Sequence, residues 1–197
     1  MSLYEFVKAV LRPITRAAFD VTVSGESNVP ANGGLVVAAN HRSYLDPPLL
    51  GTWFPRTIHF MAKEELFRIP VLGYLIGEVH AFPVTRDAAD IGSIRRALRI
   101  LKEGGAIGIF PEGTRNVSGD AKPKAGAVML ATTAHCPIVP VGLVHTAQAT
   151  KRLRASHVQV RIGAPMTFQG SARKPTKAEI DVWTVQVADE IERLTSG

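Results

Sequence analysis

The chain has 197 residues, 46% of them hydrophobic and 20% charged, which suits one domain with a full core and excludes a disordered polymer. A formal net charge of +6 at pH 7 points to an anionic partner, and sparse aromatics without any nucleic-acid module signature rank nucleic acid last. The single cysteine, Cys136, excludes an internal disulfide and a multi-cysteine zinc site; beside Pro137-Ile138-Val139 it reads as a small buried hydrophobe in a reducing compartment.

Residues 3–19 read as an amphipathic helix, with Leu3, Phe6, Val7, Val10, Leu11, Ile14 and Ala18 at helical spacing and Pro13 as a kink or break. Lys8, Arg12 and Arg16 recur every fourth residue at the edge of that face, a pattern suited either to an anionic membrane interface or to a helix docked on the core with solvated charges. Charges interrupt these apolar residues, so no signal peptide is read, and no run nears the ~20 apolar residues of a spanning helix.

A short strand at 19–23 and a turn-rich connector at 24–34 lead into Leu35-Val36-Val37-Ala38-Ala39, a buried strand. Asn40-His41-Arg42-Ser43-Tyr44-Leu45-Asp46 follows, and Pro47-Pro48 fit the first turn of a helix with Asp46 as its N-cap. Next come a strand at 57–62 and the stretch 63–77, whose apolar half is core by default, with a lipid-facing surface flanked by Lys63 and Arg68, or a lining for an acyl chain, as alternatives. Residues 80–86 form a strand ending at Arg86. A helix at 88–102 follows, capped by Asp87 or Asp90, with Ile91, Ile94, Leu98 and Leu101 inward. Residues 106–110 are a strand running into Pro111-Glu112-Gly113-Thr114-Arg115, and a loop to Lys124 precedes a small-residue helix at 125–135. Strands at 138–144 and 158–162 flank an exposed basic cluster, Lys151, Arg152 and Arg154. Thr176 and Glu179 make a capping box for the last helix, whose core face is Ile180, Trp183, Val187, Ile191 and Leu194. Strands alternating with helices predict a single α/β domain with a central, mostly parallel or mixed sheet flanked by helices.

Three predicted strands end in polar residues: His41, Arg86, and Glu112 through Arg115. Across a tight turn Asp46 can fold back onto His41, giving the base and orienter of a triad without a nucleophile, so that the attacking hydroxyl belongs to the substrate. The alternative is a structural histidine beside a common helix cap. Arg86 and Arg115 could grip a phosphate bidentately, with Lys124 as a third cation; each could equally be a solvated surface charge. There is no HExxH, and His59, His80, His135, His145 and His157 show no ligand spacing, so no metal is expected. Gly104-Gly105 and Gly108 form neither a Walker loop nor a dinucleotide fingerprint.

Four ordered blocks, Asn40-His41 through Asp46, Phe82-Pro83-Val84-Thr85-Arg86, Phe110 through Arg115, and Pro137-Ile138-Val139-Pro140-Val141, resemble those of the glycerolipid acyltransferases, whose type members are the 1-acyl-sn-glycerol-3-phosphate acyltransferases. The resemblance covers residues 24–145. It implies an enzyme of phospholipid biosynthesis that moves an acyl group from acyl-coenzyme A, or acyl carrier protein, to a glycerol phosphate hydroxyl. It also implies His41 as base, Asp46 as its partner, and Asn40, Arg86, Glu112, Gly113, Thr114, Arg115 and Lys124 on the acceptor, with no cofactor. Thr85 departs from the acid often found before that arginine. The expected organisation is a membrane-associating segment at 1–23 and an acyltransferase domain at 24–197, peripheral on the cytoplasmic face of an anionic membrane. An acyl thioester hydrolase, or acylation of glycerol 3-phosphate or another lyso-lipid, is the alternative.

Overall fold

The computed structural model describes residues 3–84, 90–116, 121–149, 156–170 and 175–196. Along them run α1 (Leu3–Phe19), β1 (Thr22–Ser24), β2 (Leu35–Ala39), α2 (Asp46–Trp53), β3 (Ile58–Lys63), α3 (Glu64–Phe67), α4 (Leu72–Glu78), β4 (Phe82–Val84) and α5 (Ile91–Lys102). After these come β5 (Ala106–Ile109), α6 (Gly126–Ala134), β6 (Ile138–Val144), α7 (Thr146–Ala149), β7 (Gln159–Ile162) and α8 (Lys177–Ser196). The strands form one sheet in the order β1-β7-β6-β2-β5-β3-β4. Among these strands only the β6–β7 pair is antiparallel. The fold is the predicted α/β class with a mixed sheet.

Central β2 is buried at all five positions, as a strand covered on both faces must be. Leu35, Val37 and Ala39 face α2, packing with Leu49, Leu50, Trp53 and Phe54. Val36 and Ala38 face the other way, into Ala97 and Leu101 of α5, Val128 and Ala131 of α6, and Trp183, Val187 and Ile191 of α8. Because β2 and β5 are parallel neighbours with Ala38 opposite Ile109, the loops leaving their carboxyl ends emerge side by side. This is where open parallel sheets place their sites.

Several expectations are corrected. α1 is one unbroken helix through Pro13; Pro13 and Ala9 are both exposed, so the carbonyl left without its proline donor can be solvated. Its apolar residues Leu3, Phe6, Val10 and Ile14 are exposed, whereas Tyr4 and Lys8 are buried. Lys8 Nζ donates to Phe54 O (2.7 Å), Arg12 Nε to Thr52 O (3.2 Å) and the Tyr4 hydroxyl to Gly51 O (3.0 Å). Gly51 and Thr52 are in the last turn of α2, whose carbonyls lack intrahelical partners and carry the negative end of its dipole, and Phe54 is the residue just past it. Arg12 and Arg16 stay exposed at the edge, over the Trp53 ring. Lys8 and Arg12 are thus turned toward the end of α2, while Leu3, Phe6, Val10 and Ile14 point outward and Val7, Leu11 and Ala18 are half-buried.

In the stretch 63–77, Leu66, Ile69, Val71 and Tyr74 are exposed, against the core default and in line with the surface alternative, while Phe67 and Ile76 pack against the core. α5 buries Ser93, Ala97 and Leu101, leaving Ile91 and Ile94 exposed. Small residues allow the close approach to β4 in which Ser93 Oγ donates to Pro83 O at 2.8 Å. Its cap is Asp90, which accepts from Ser93 N–H. The capping box is present: Glu179 Oε2 accepts from Thr176 N–H at 2.7 Å, and Thr176 Oγ1 from Glu179 N–H at 3.2 Å. Cys136 is buried, and that burial pushes its thiol up to about 11. Thr85, Arg86, Asp87, Lys151, Arg152 and Arg154 lie outside the described residues.

Candidate active site

β2 delivers His41 into a tight turn that closes on itself through one carboxylate oxygen. Asp46 Oδ2 accepts the His41 Nδ1 proton at 2.9 Å, the Arg42 amide at 2.6 Å and the Ser43 amide at 2.7 Å. Asp46 is the first residue of α2 rather than its N-cap, and its side chain caps nothing. Pro47 and Pro48 lack the N–H groups a capping carboxylate would take, so it turns back on the preceding loop. A carboxylate can only accept, so Nδ1 carries the proton and Nε2 presents a lone pair. Asp46 is fully buried, and Oδ1 has no hydrogen-bond partner among the described residues. The His41 side chain retains 13% exposure.

Packing sets the ring's tilt. The imidazole stacks on Phe110, centroids 4.4 Å apart, and Phe110 lies parallel to Phe60 at 6.2 Å. Phe60 in turn rests on Gly108 of β5, where an added Cβ would meet its Cε1 at 2.5 Å and Ile58 Cγ2 at 2.7 Å.

The loop after β5 grips His41 by its main chain. Glu112 Oε2 accepts the His41 N–H at 2.8 Å, and the Asn116 N–H donates to His41 O at 2.7 Å. Burial raises the Glu112 carboxyl above its usual range. The His41 amide, the Asn116 side chain and the charge of Arg42 oppose that rise. Asn116, itself buried, was invisible in the sequence: a polar residue in a loop has no periodicity to report its burial.

Gly113 has a φ of 71°, the left-handed region glycine tolerates, and its N–H closes the turn onto Phe110 O at 2.9 Å. Lys124 is tied to this turn by its N–H to Pro111 O (2.8 Å), and its Nζ would lie 2.9 Å from a Cβ at Gly113. Thr114 and Arg115 are exposed. The Arg115 guanidinium carbon sits 3.6 Å from the centroid of Tyr44, in the His41–Asp46 turn. Asn40 is committed elsewhere: Nδ2 donates to Leu143 O at 2.9 Å and Oδ1 accepts Leu143 N–H at 2.7 Å, tying β2 to β6. The structure therefore brings together His41, Asp46, Glu112, Gly113, Arg115 and Lys124. Arg86 follows β4 by two residues and lies outside the described part.

A buried carboxylate behind an imidazole, at the carboxyl end of a parallel sheet and beside cations, has the arrangement of the base-and-orienter half of a triad, which suits a transferase or a hydrolase. The family model for Acyltransferase matches residues 20–144. The 1-acyl-sn-glycerol-3-phosphate acyltransferase of Bacillus subtilis is 33% identical over 193 residues, covering 98% of this chain and 96% of the relative. The enzyme of that name from Borreliella burgdorferi is 31% identical over 66% of this chain and 53% of its own length. The crystal structure of the 1-acyl-sn-glycerophosphate acyltransferase PlsC from Thermotoga maritima superimposes with a TM-score of 0.75 at 27% identity, covering 98% of this chain and 80% of that one. The chain belongs to the acyltransferase family and is an O-acyltransferase.

Proposed function

We propose that the chain transfers a fatty acyl group from an acyl thioester, acyl-coenzyme A or acyl carrier protein, to the free hydroxyl of a 1-acylglycerol 3-phosphate in phospholipid biosynthesis. The observation that carries this is the His41–Asp46 contact at 2.9 Å, with Nε2 left free and no enzymic hydroxyl required. Nε2 removes the acceptor hydroxyl proton as the oxygen attacks the thioester carbon, while Asp46 holds the tautomer and stabilises the imidazolium. Collapse of the tetrahedral intermediate breaks the carbon–sulfur bond, and the imidazolium returns its proton to the leaving thiolate. Arg115, Lys124 and Arg86 hold the acceptor phosphate, with Gly113 and Thr114 shaping the turn. Asn40 and Glu112 serve through the main chain they brace. No metal or cofactor is needed beyond the donor.

Acceptor dependence tests this. Thiol release from acyl-coenzyme A is expected only with a glycerol phosphate acceptor; equal release without one favours the thioester hydrolase. Comparing 1-acylglycerol 3-phosphate, glycerol 3-phosphate and other lyso-lipids identifies the acceptor.

Residues 1–23 serve as the membrane-associating segment ahead of an acyltransferase domain at 24–197. The exposed apolar row of Leu3, Phe6, Val10 and Ile14 supports contact with the cytoplasmic face of an anionic bilayer, with Arg12 and Arg16 at its edge. No helix of the described residues is long and apolar enough to cross a membrane, consistent with peripheral attachment.

A further inference from the structure

Tyr44 is 73% exposed, an unusual setting for a large ring in the middle of a catalytic turn. Its backbone is closely held. The Arg42 and Ser43 amides donate to Asp46 Oδ2, and the Leu45 N–H donates to Ser43 Oγ at 3.2 Å. The main chain on either side of the ring is thus held beside His41 and Asp46. Arg115, by contrast, stands on an exposed turn, and among the described residues it enters no salt bridge, unlike Arg68 with Glu64 and Arg193 with Glu190. What meets it is the Tyr44 face, 3.6 Å from its guanidinium carbon. A stacked guanidinium spends only its π face, which makes no hydrogen bonds, and leaves its five N–H donors pointing outward in one plane.

We infer that Tyr44 is a positioning residue for acceptor selection. Its ring backs the Arg115 guanidinium beside the His41–Asp46 turn and keeps the donor edge open for the acceptor phosphate. This rests on the reading of Arg115 as a phosphate clamp. An ion-paired arginine would have its donor edge occupied before the acceptor arrives; an unstacked one would lose rotamer freedom on binding. The ring removes both costs and favours acceptors carrying a phosphate over neutral ones.

Steady-state kinetics with acyl-coenzyme A and 1-acylglycerol 3-phosphate in mixed micelles tests it, using Tyr44→Leu, Tyr44→Phe, Arg115→Ala and the double variant Tyr44→Leu/Arg115→Ala. The position is exposed, so each chain is expected to fold. Tyr44→Leu keeps apolar bulk but removes the π face. Its acceptor KM should rise about two- to fivefold, the scale of an exposed cation–π contact, while kcat and donor KM hold. Tyr44→Phe should restore wild-type KM. In the double variant the loss of Tyr44 should add nothing to the loss of Arg115. An unchanged acceptor KM in Tyr44→Leu, a fall in kcat alone, or additive effects in the double variant would each overturn the inference. If Arg115→Ala itself leaves acceptor KM unchanged, the phosphate clamp fails first, and that result is separate from a failure at Tyr44.

Discussion

Removing the imidazole at His41 leaves the fold intact on both sides of it, because Asp46 still accepts the Arg42 and Ser43 amides. His41→Ala should therefore lower kcat by about two to four orders of magnitude with an unchanged melting temperature. Equal activity in the variant would remove His41 as the base. Glu112 behaves differently. Glu112→Ala leaves the His41 N–H without its partner and should cost about 1–3 kcal/mol of stability, whereas Glu112→Gln retains an acceptor and should cost less; urea unfolding of both variants measures the gap. The His41–Asp46 couple was legible because five residues across a tight turn let a carboxylate fold back onto an imidazole; that the two prolines deny Asp46 a capping role was not. The partners of Glu112 and Asn40 were not. Each binds a main-chain group on a neighbouring segment, and such a choice depends on strand adjacency rather than on residue type.

At the scale of elements, α1 carries the clearest lesson. Its 3.6-residue period was legible, but which side faces inward was not, because periodicity weighs apolar against polar residues and ignores unpaired carbonyls waiting on a neighbour. The end of α2 supplies those carbonyls, and Lys8, Arg12 and Tyr4 take them. Phe6→Asp with Ile14→Asp should then weaken binding to anionic vesicles while preserving the melting temperature. Lys8→Ala should lower stability by about 1–3 kcal/mol with the apolar face untouched. Vesicle binding unaffected by the two aspartates would assign that face to another role. In α5, likewise, the buried side follows the small residues Ser93 and Ala97 rather than the large ones, since closeness of packing outweighs side-chain area there.

Over the whole molecule, alternating strands and helices made the layered sheet readable, while the strand order depends on long-range pairing that no local pattern carries. One global property follows from the histidines beside α1. His59 lies 4.9 Å from His80, whose ring is 5.2 Å from Tyr4. Burial first, then the charges of His80 and Arg96, hold His59 below its ordinary 6.5. Between that value and the lower folded one the unfolded chain binds more protons, so stability falls as pH drops through the window beneath 6.5. Unfolding free energies measured in steps from neutral pH downward should show this slope, and His59→Gln should flatten it.

The aromatic column from Phe60 through Phe110 to His41 has its footing in a strand that contributes no polar group to the chemistry. A methyl at residue 108 would collide with the lowest ring, and the displacement would pass upward to the nitrogen proposed as the base. Gly108→Ala should consequently slow turnover without altering one charge or hydrogen-bonding side chain, because the smallest residue of the barren middle of β5 would set how the proposed base is aimed.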